Sequence, residues 1–250
     1  MIAALLLLVT TLAAWLPAAA ADMRLYAAAG VKAPLEQVAR DFEAATGHRV
    51  TLLFDTAGAA EQRFLADPAA TFLVTTQARL QAAEKDGRLR NGMTSVIGAT
   101  VGGLAAPPDG PGPAIATSEQ LRAALLAAPR IAFSDPARGA TVGKHFLMVI
   151  EELGIREQVL QKATLARDGV ETMHLVLEGK ADLGVTQISE IVQADPRALL
   201  GPFPDRFDLA TTYALWLSAD AAPEARAFAA LVTSAAERAR LRAHGLRPPE

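Results

Sequence analysis

The 250-residue chain contains no cysteine. Disulfides, thiol nucleophiles and thiolate metal sites are therefore excluded. Histidine is scarce: His48, His145, His174 and His244 are scattered and form no HExxH-type spacing, so no metal is expected. A basic run is missing as well, and the formal net charge is −3. A nucleic-acid partner, which calls for a basic patch or stripe, is not expected. Neither a GxGxxG nor a Walker sequence occurs. In GATVGK, residues 139–144, Lys144 is followed by His145 rather than Ser or Thr, so this is not a phosphate loop. No cofactor is expected. The two tryptophans form no aromatic cage with their sequence neighbours.

What is present is a core. Hydrophobic residues make up 51% of the chain, enough to bury a large interior. The first 21 residues, MIAALLLLVTTLAAWLPAAAA, carry no charged side chain. They read as a secretory signal peptide, with Pro17 and the alanines after it supplying a small-x-small cleavage site. The competing reading is an uncleaved anchor, since ~20 apolar residues span a bilayer. Pro17 and the alanine run favour cleavage and a periplasmic protein. No later stretch has 18 uninterrupted apolar residues, so no membrane association is expected of the mature chain.

The mature sequence alternates strand-like and helix-like pieces. MRLYAAAG (23–30), HRVTLLFDTAG (48–58) and TFLVTT (71–76) read as strands with their turns. Helical spacing follows each: Leu35, Val38, Ala39 and Phe42 after a Pro34 start, then 59–65, then Gln77–Lys85. A long apolar strand is expected over 94–107, followed by the PPDGPGP loop. A helix at 119–127, a strand at 130–136, helices at 141–153 and 170–178, and strands at 180–186 and 208–218 come next. One or two alanine-rich helices fill 223–244. This rhythm indicates an α/β protein with mainly parallel sheets flanked by helices.

Three turns share one pattern, a strand followed by small or hydroxylated residues at a helix start: AAAGVKAP (27–34), FDTAGAAEQ (54–62) and SDPARGATVGK (134–144). Ligands of parallel α/β sheets gather beyond the carboxyl ends of the strands. Helix N-termini there offer free N–H groups and partial positive charge, which suits an anion. The candidate ligand-binding residues are Ala29 and Gly30; Thr56, Ala57 and Gly58; Arg138, Gly139, Ala140 and Thr141; then Val170 and Gln187. Gly30, Gly58 and Gly139 would admit a ligand close to the backbone. Arg138 would supply a guanidinium fork for a carboxylate. Each turn also has a plainer reading, as a glycine or hydroxyl cap with no ligand.

LYAAAGVKAPLEQVARDFEAATGHRVTLLF, TAGAAEQRFLADPAATFLVTT, RIAFSDPARGATVGKHFLMVIEELGI and LEGKADLGVTQISE, in that order, resemble the molybdate-binding protein family of type II periplasmic binding proteins. The resemblance covers nearly the whole mature chain and marks it as a divergent member. It implies two α/β lobes joined by two crossover strands, lobe I from 22–98 and 209–250 and lobe II from 99–208, with ligand in the cleft. An ABC permease is the implied partner, and a monomer is expected.

The chain also departs from the family. The family's oxyanion-binding serines fall at Gly30 and Ala57, its tyrosine at Gln187, and an aspartate at Ala70. With hydroxyls lost and Arg138 added, an organic carboxylate is expected in preference to molybdate. The alternative is an enzyme. Aconitate isomerase is similar to this family, and a cofactor-free allylic proton shift on a tricarboxylate would use the same cleft. Lys32, Asp55, His145 and Glu171 are the candidates for moving the proton.

Overall fold

The computed structural model describes residues 20–249. The signal peptide expected over residues 1–21 lies outside the described residues except for Ala20 and Ala21.

The first half of the chain opens with β1 (Asp22–Ala28), a short 3₁₀ turn (Ala29–Val31) and α1 (Lys32–Thr46). Helix α1 buries Leu35, Val38, Ala39 and Phe42 and stops at Gly47, whose φ of 74° closes the last turn on Glu43 O. A glycine suits that left-handed position because it has no Cβ to clash. Next come β2 (Arg49–Asp55), α2 (Ala57–Ala66), β3 (Ala70–Thr76) and α3 (Gln77–Lys85). Strand β1 lies between β2 and β3 and pairs parallel with both. It is buried over its last four residues, as a strand covered on both faces should be.

β4 (Gly92–Ala105) is the long strand that leaves this half. After it come α4 (Ser118–Ala127), β5 (Ile131–Ser134), α5 (Thr141–Glu152), α6 (Arg156–Leu160), β6 (Ala163–Ala166), α7 (Gly169–Leu177), β7 (Leu183–Gln187), α8 (Ile188–Ala194) and β8 (Leu199–Pro202). The return is β9 (Ala210–Ser218), followed by α9 (Pro223–Val232) and α10 (Arg238–Ala243).

The strand order is β2-β1-β3-β9-β4-β7-β5-β6, with β8 also pairing to β4. β4 and β9 join the halves. β4 pairs with β9 antiparallel from Gly92 to Val101, then with β7 from Gly102 to Ala105. Each half has its own core. Phe42, Phe72 and Phe228 pack together in the first, with ring centroids 5.3 and 5.2 Å apart. Phe133, Phe146 and Phe203 do so in the second, at 5.1 and 6.5 Å. Separate cores leave the joint between them free to carry a site. No helix among the described residues is long and apolar enough to cross a membrane.

Candidate functional site

The carboxyl ends of the parallel strands in both halves converge on one cavity. The first half contributes Ala28 to Gly30 after β1, and Thr56 with Ala57 at the start of α2. The second contributes Ser134 from β5, Ala140 to Val142 at the start of α5, Gly169 at the start of α7, Thr186 and Gln187 from β7, and Glu190 from α8. Tyr213 enters from the joining strand β9. Water-sized groups can place their centres within about 30 Å³. A sphere of that volume has a radius of about 1.9 Å, longer than a P–O or S–O bond. That space suits one compact anionic group.

Three helices of nine residues or more point their N-termini here: α2, α5 and α7. Thr56 caps α2, its Oγ1 accepting from Ala59 N at 3.2 Å and donating to Arg138 O. Asp168 caps α7, accepting from Glu171 N at 2.9 Å. Helix α5 has no side-chain cap, so its first-turn N–H groups remain for a ligand. The site is thus built from dipoles and hydroxyls. No lysine or arginine lines it.

Its ionisable groups are Glu190 and Tyr213. Glu190 is 9% exposed. Its Oε2 accepts from Thr186 Oγ1 and from Gln187 N at 3.2 Å. Burial pushes its pKa up to about 7, and the nearby Asp168 carboxylate adds to the rise, while the two hydrogen bonds partly offset it. Burial also raises the Tyr213 phenol well above its ordinary value.

Seven of the eleven residues expected to bind ligand line this cavity: Ala29, Gly30, Thr56, Ala57, Ala140, Thr141 and Gln187. Four lie elsewhere. Arg138 is engaged: its Nη2 donates to Asp55 Oδ1 and Oδ2 at 2.8 and 2.9 Å, and its Nε donates to Arg167 O at 3.1 Å. Gly58 and Gly139 meet each other. Gly58 N donates to Gly139 O at 3.3 Å, and a Cβ on either would come 2.7 Å from the other's Cα. Val170 lines a neighbouring pocket of about 250 Å³, together with Lys32, His174 and Gln193. Gly30 lines the cavity and also makes room for a neighbouring side chain. A Cβ there would sit 2.3 Å from the Tyr213 hydroxyl, so this glycine makes room for the phenol.

None of the four proton-moving candidates lines the cavity. Lys32 sits in the neighbouring pocket, 4.0 Å from Glu36. Asp55 is held by Arg138 and, at 3.6 Å, by Arg63. His145 Nε2 is 2.8 Å from Phe207 O, its ring edge-on to Phe203. Glu171 accepts from Arg167 N. Glu190, Tyr213, Thr186, Ser134 and Gly169 were not foreseen. Among the described residues, no group of three or more metal-ligating side chains could hold a metal ion.

Contacts between the halves surround the cavity. The rim pair Arg138–Asp55 and the Gly58–Gly139 approach close one side. On the other, Gln193 Nε2 donates to Gly30 O and its Oε1 accepts from Ala33 N, both at 2.8 Å. These bonds tie the two halves together around the cavity.

The family described as bacterial extracellular solute-binding protein matches residues 23–247. No curated protein matches the chain. Among solved structures, the periplasmic molybdate-binding protein of Azotobacter vinelandii is similar over 91% of this chain and 100% of its own, with 17% identity and a TM-score of 0.70. L-phospholactate-bound PEB3, a protein of Campylobacter jejuni, is 15% identical with a TM-score of 0.63, over 91% of this chain and 100% of its own. A putative phosphate ABC transporter substrate-binding protein from Clostridium perfringens, with bound phosphate, is 10% identical with a TM-score of 0.66, over 92% and 100%. At these identities the likeness shows the fold: α/β, two-lobed, as in periplasmic binding proteins.

Proposed function

We propose, from the premise that this chain belongs to the bacterial extracellular solute-binding proteins, that it closes around one compact oxyanion and presents it to an ABC permease. The lobes are 22–98 with 209–250, and 99–208; β4 and β9 serve as the hinge. The protein acts in the periplasm as a monomer, after removal of its signal segment. One observation carries this reading: three helix N-termini meet at one small cavity lined from both halves. The expectation of an organic carboxylate has two grounds, the family serines replaced at Gly30 and Ala57 and the added Arg138, and the second is weakened. With that guanidinium bound to Asp55, the ligand is held by neutral donors, and a tetrahedral oxyanion suits their arrangement.

Thermal unfolding tests this. A ligand that binds only the native state raises stability by about 2.7 kcal/mol at 100 times its Kd. Phosphate, sulfate, molybdate and tungstate are compared at pH 6 with citrate, the aconitates and short dicarboxylates. Stabilisation by tetrahedral oxyanions is expected. Stabilisation by carboxylates alone would overturn the reading.

A second reading, the cofactor-free isomerase, is favoured by one feature. Glu190 titrates near neutrality in the same cavity as the Tyr213 phenol, and a proton shift needs such a pair. Proton NMR of cis- and trans-aconitate incubated with the protein separates the two. Unchanged spectra are expected of a binder; interconversion would establish the enzyme.

A further inference from the structure

One side chain of the second half reaches the backbone turn that lines the cavity from the first. Gln193, on α8, places both ends of its amide on that turn. Its Nε2 donates to Gly30 O and its Oε1 accepts from Ala33 N in the first turn of α1, both at 2.8 Å. The two partners are 163 and 160 residues away along the chain. Gly30 lines the small cavity, whereas Gln193 lines the neighbouring pocket of about 250 Å³. The Gly30 peptide thus lies between the two spaces, with its carbonyl held by a donor from the pocket. The charged and titratable groups that share this pocket are Lys32 and Glu36 on α1, His174 on α7 and Glu190 on α8.

That carbonyl matters to an anion. Its oxygen carries partial negative charge, and turned into the cavity it would repel an oxyanion. Glycine lacks the Cβ that restricts backbone rotation, so the residue that makes room for Tyr213 does not by itself fix the peptide. A carboxylate offers only acceptors and an ammonium only donors, but an amide offers both and can hold a C=O and an N–H at once. We propose that Gln193 is a positioning residue for oxyanion binding: coming from the second half, it holds the Gly30 carbonyl away from the ligand, so the first half's turn is fully prepared only when the halves meet. This rests on the reading of the cavity as an oxyanion site. Gln193 does not touch the ligand, so its effect is the same for phosphate, sulfate and molybdate and falls on dissociation.

Two substitutions separate this role from a simple tether between the halves. Gln193→Leu keeps the length of the side chain and loses both bonds. Gln193→Glu keeps an acceptor for Ala33 N and has Lys32 in its pocket, but once ionised it cannot donate to Gly30 O. A tether would suffer less from Glu than from Leu; positioning of the carbonyl gives the reverse order. Calorimetry and stopped-flow tryptophan fluorescence with phosphate at about pH 8.5 read the difference. Gln193→Leu should weaken binding about 30-fold, the loss of two hydrogen bonds, through faster dissociation at an unchanged association rate. Gln193→Glu should bind no better than Gln193→Leu. Each half has its own core, so the melting temperatures without ligand should change little.

Hydrogen exchange in the unmodified protein supplies a test that does not depend on the variants folding. Saturating phosphate should slow exchange of the Ala33 N–H, which reports the bond to Gln193. Unaltered affinity in Gln193→Leu, tighter binding by Gln193→Glu than by Gln193→Leu, or exchange at Ala33 that phosphate leaves unchanged overturns the proposal. Absence of binding by every oxyanion to the unmodified protein would instead overturn the oxyanion reading beneath it.

Discussion

The rim and the floor of the cleft handle charge in opposite ways. At the rim, Arg138 and Asp55 neutralise each other across the joint, with the arginine side chain 38% exposed and the aspartate 8%. On the floor, Glu190 is buried with no cation in the cavity. A reading that follows charge alone puts the ligand at Arg138. The cavity, by contrast, is lined by backbone amides and hydroxyls, and burial there raises the pKa of Glu190. Charge at the rim joins the two halves, whereas among the described residues no lysine or arginine lines the floor.

The floor gives the largest expected effect. In the folded protein Glu190 has a pKa of about 7, against an ordinary 4.5. The folded state therefore holds a proton that the unfolded chain has released between those values. The contribution to stability is complete below 4.5 and is lost as the pH rises through 7. Without ligand, the loss is about 3 kcal/mol at most. Denaturant unfolding between about pH 4.5 and 8.5 should show this decline superimposed on the protein's general pH profile. Glu190→Gln should remove it and leave the variant the more stable protein at pH 8.5. If the two pH profiles run parallel, Glu190 does not titrate as its surroundings dictate.

The joint between rim and floor comes next. Gly58 and Gly139 touch backbone to backbone, and a Cβ on Gly58 would lie 2.7 Å from Gly139 Cα and 3.2 Å from Arg138 O. Neither neighbour can rotate away as a side chain could. Gly58→Ala should therefore hold the halves apart at a cost of about 2 kcal/mol, a roughly 30-fold loss of affinity for any ligand. Each half keeps its own core, so the melting temperature without ligand should change little. Wild-type affinity in this variant would mean that ligand binds without this contact.

Most of the fold can be read from the chain, because its long elements are locally consistent. Helix Gln77–Lys85 has the bounds expected from its spacing, and strand Ala210–Ser218 lies within the expected 208–218. Four pieces escape: α6, β6, α8 and β8, of five, four, seven and four residues. None is long enough to show a period. Missing α8 meant missing Glu190, which follows the cap position by three residues and so looks like an ordinary exposed capping glutamate. Its burial comes from packing against Gly169 and its neighbours on other elements. Tyr213 sits inside an apolar strand and reads as core. The pairing of Arg138 with Asp55 is not legible either, because the two are 83 residues apart. Pattern reveals the turns that build the site, whereas pairings across the two halves have no local signature.

The rim gives the smallest effect and the sharpest contrast with the floor. Asp55 is buried but keeps Arg63 when Arg138 is lost, and the arginine is 38% exposed, so this pair is expected to contribute about 1 kcal/mol. Arg138→Ala leaves Asp55 with Arg63 at 3.6 Å, and the backbone bonds from Thr56 and Gly58 remain. Affinity should fall no more than about fivefold, by the same factor for phosphate and for any carboxylate that binds, because the pair acts on closure rather than on the ligand. Asp55→Asn should act in the same direction. The double variant should be no worse than the weaker single variant, since both remove one interaction. Raised salt should shrink the wild-type advantage. The ratio between ligands decides the role. If Arg138→Ala weakens carboxylates much more than phosphate, the guanidinium leaves Asp55 to meet them, and the rim belongs to the binding site after all.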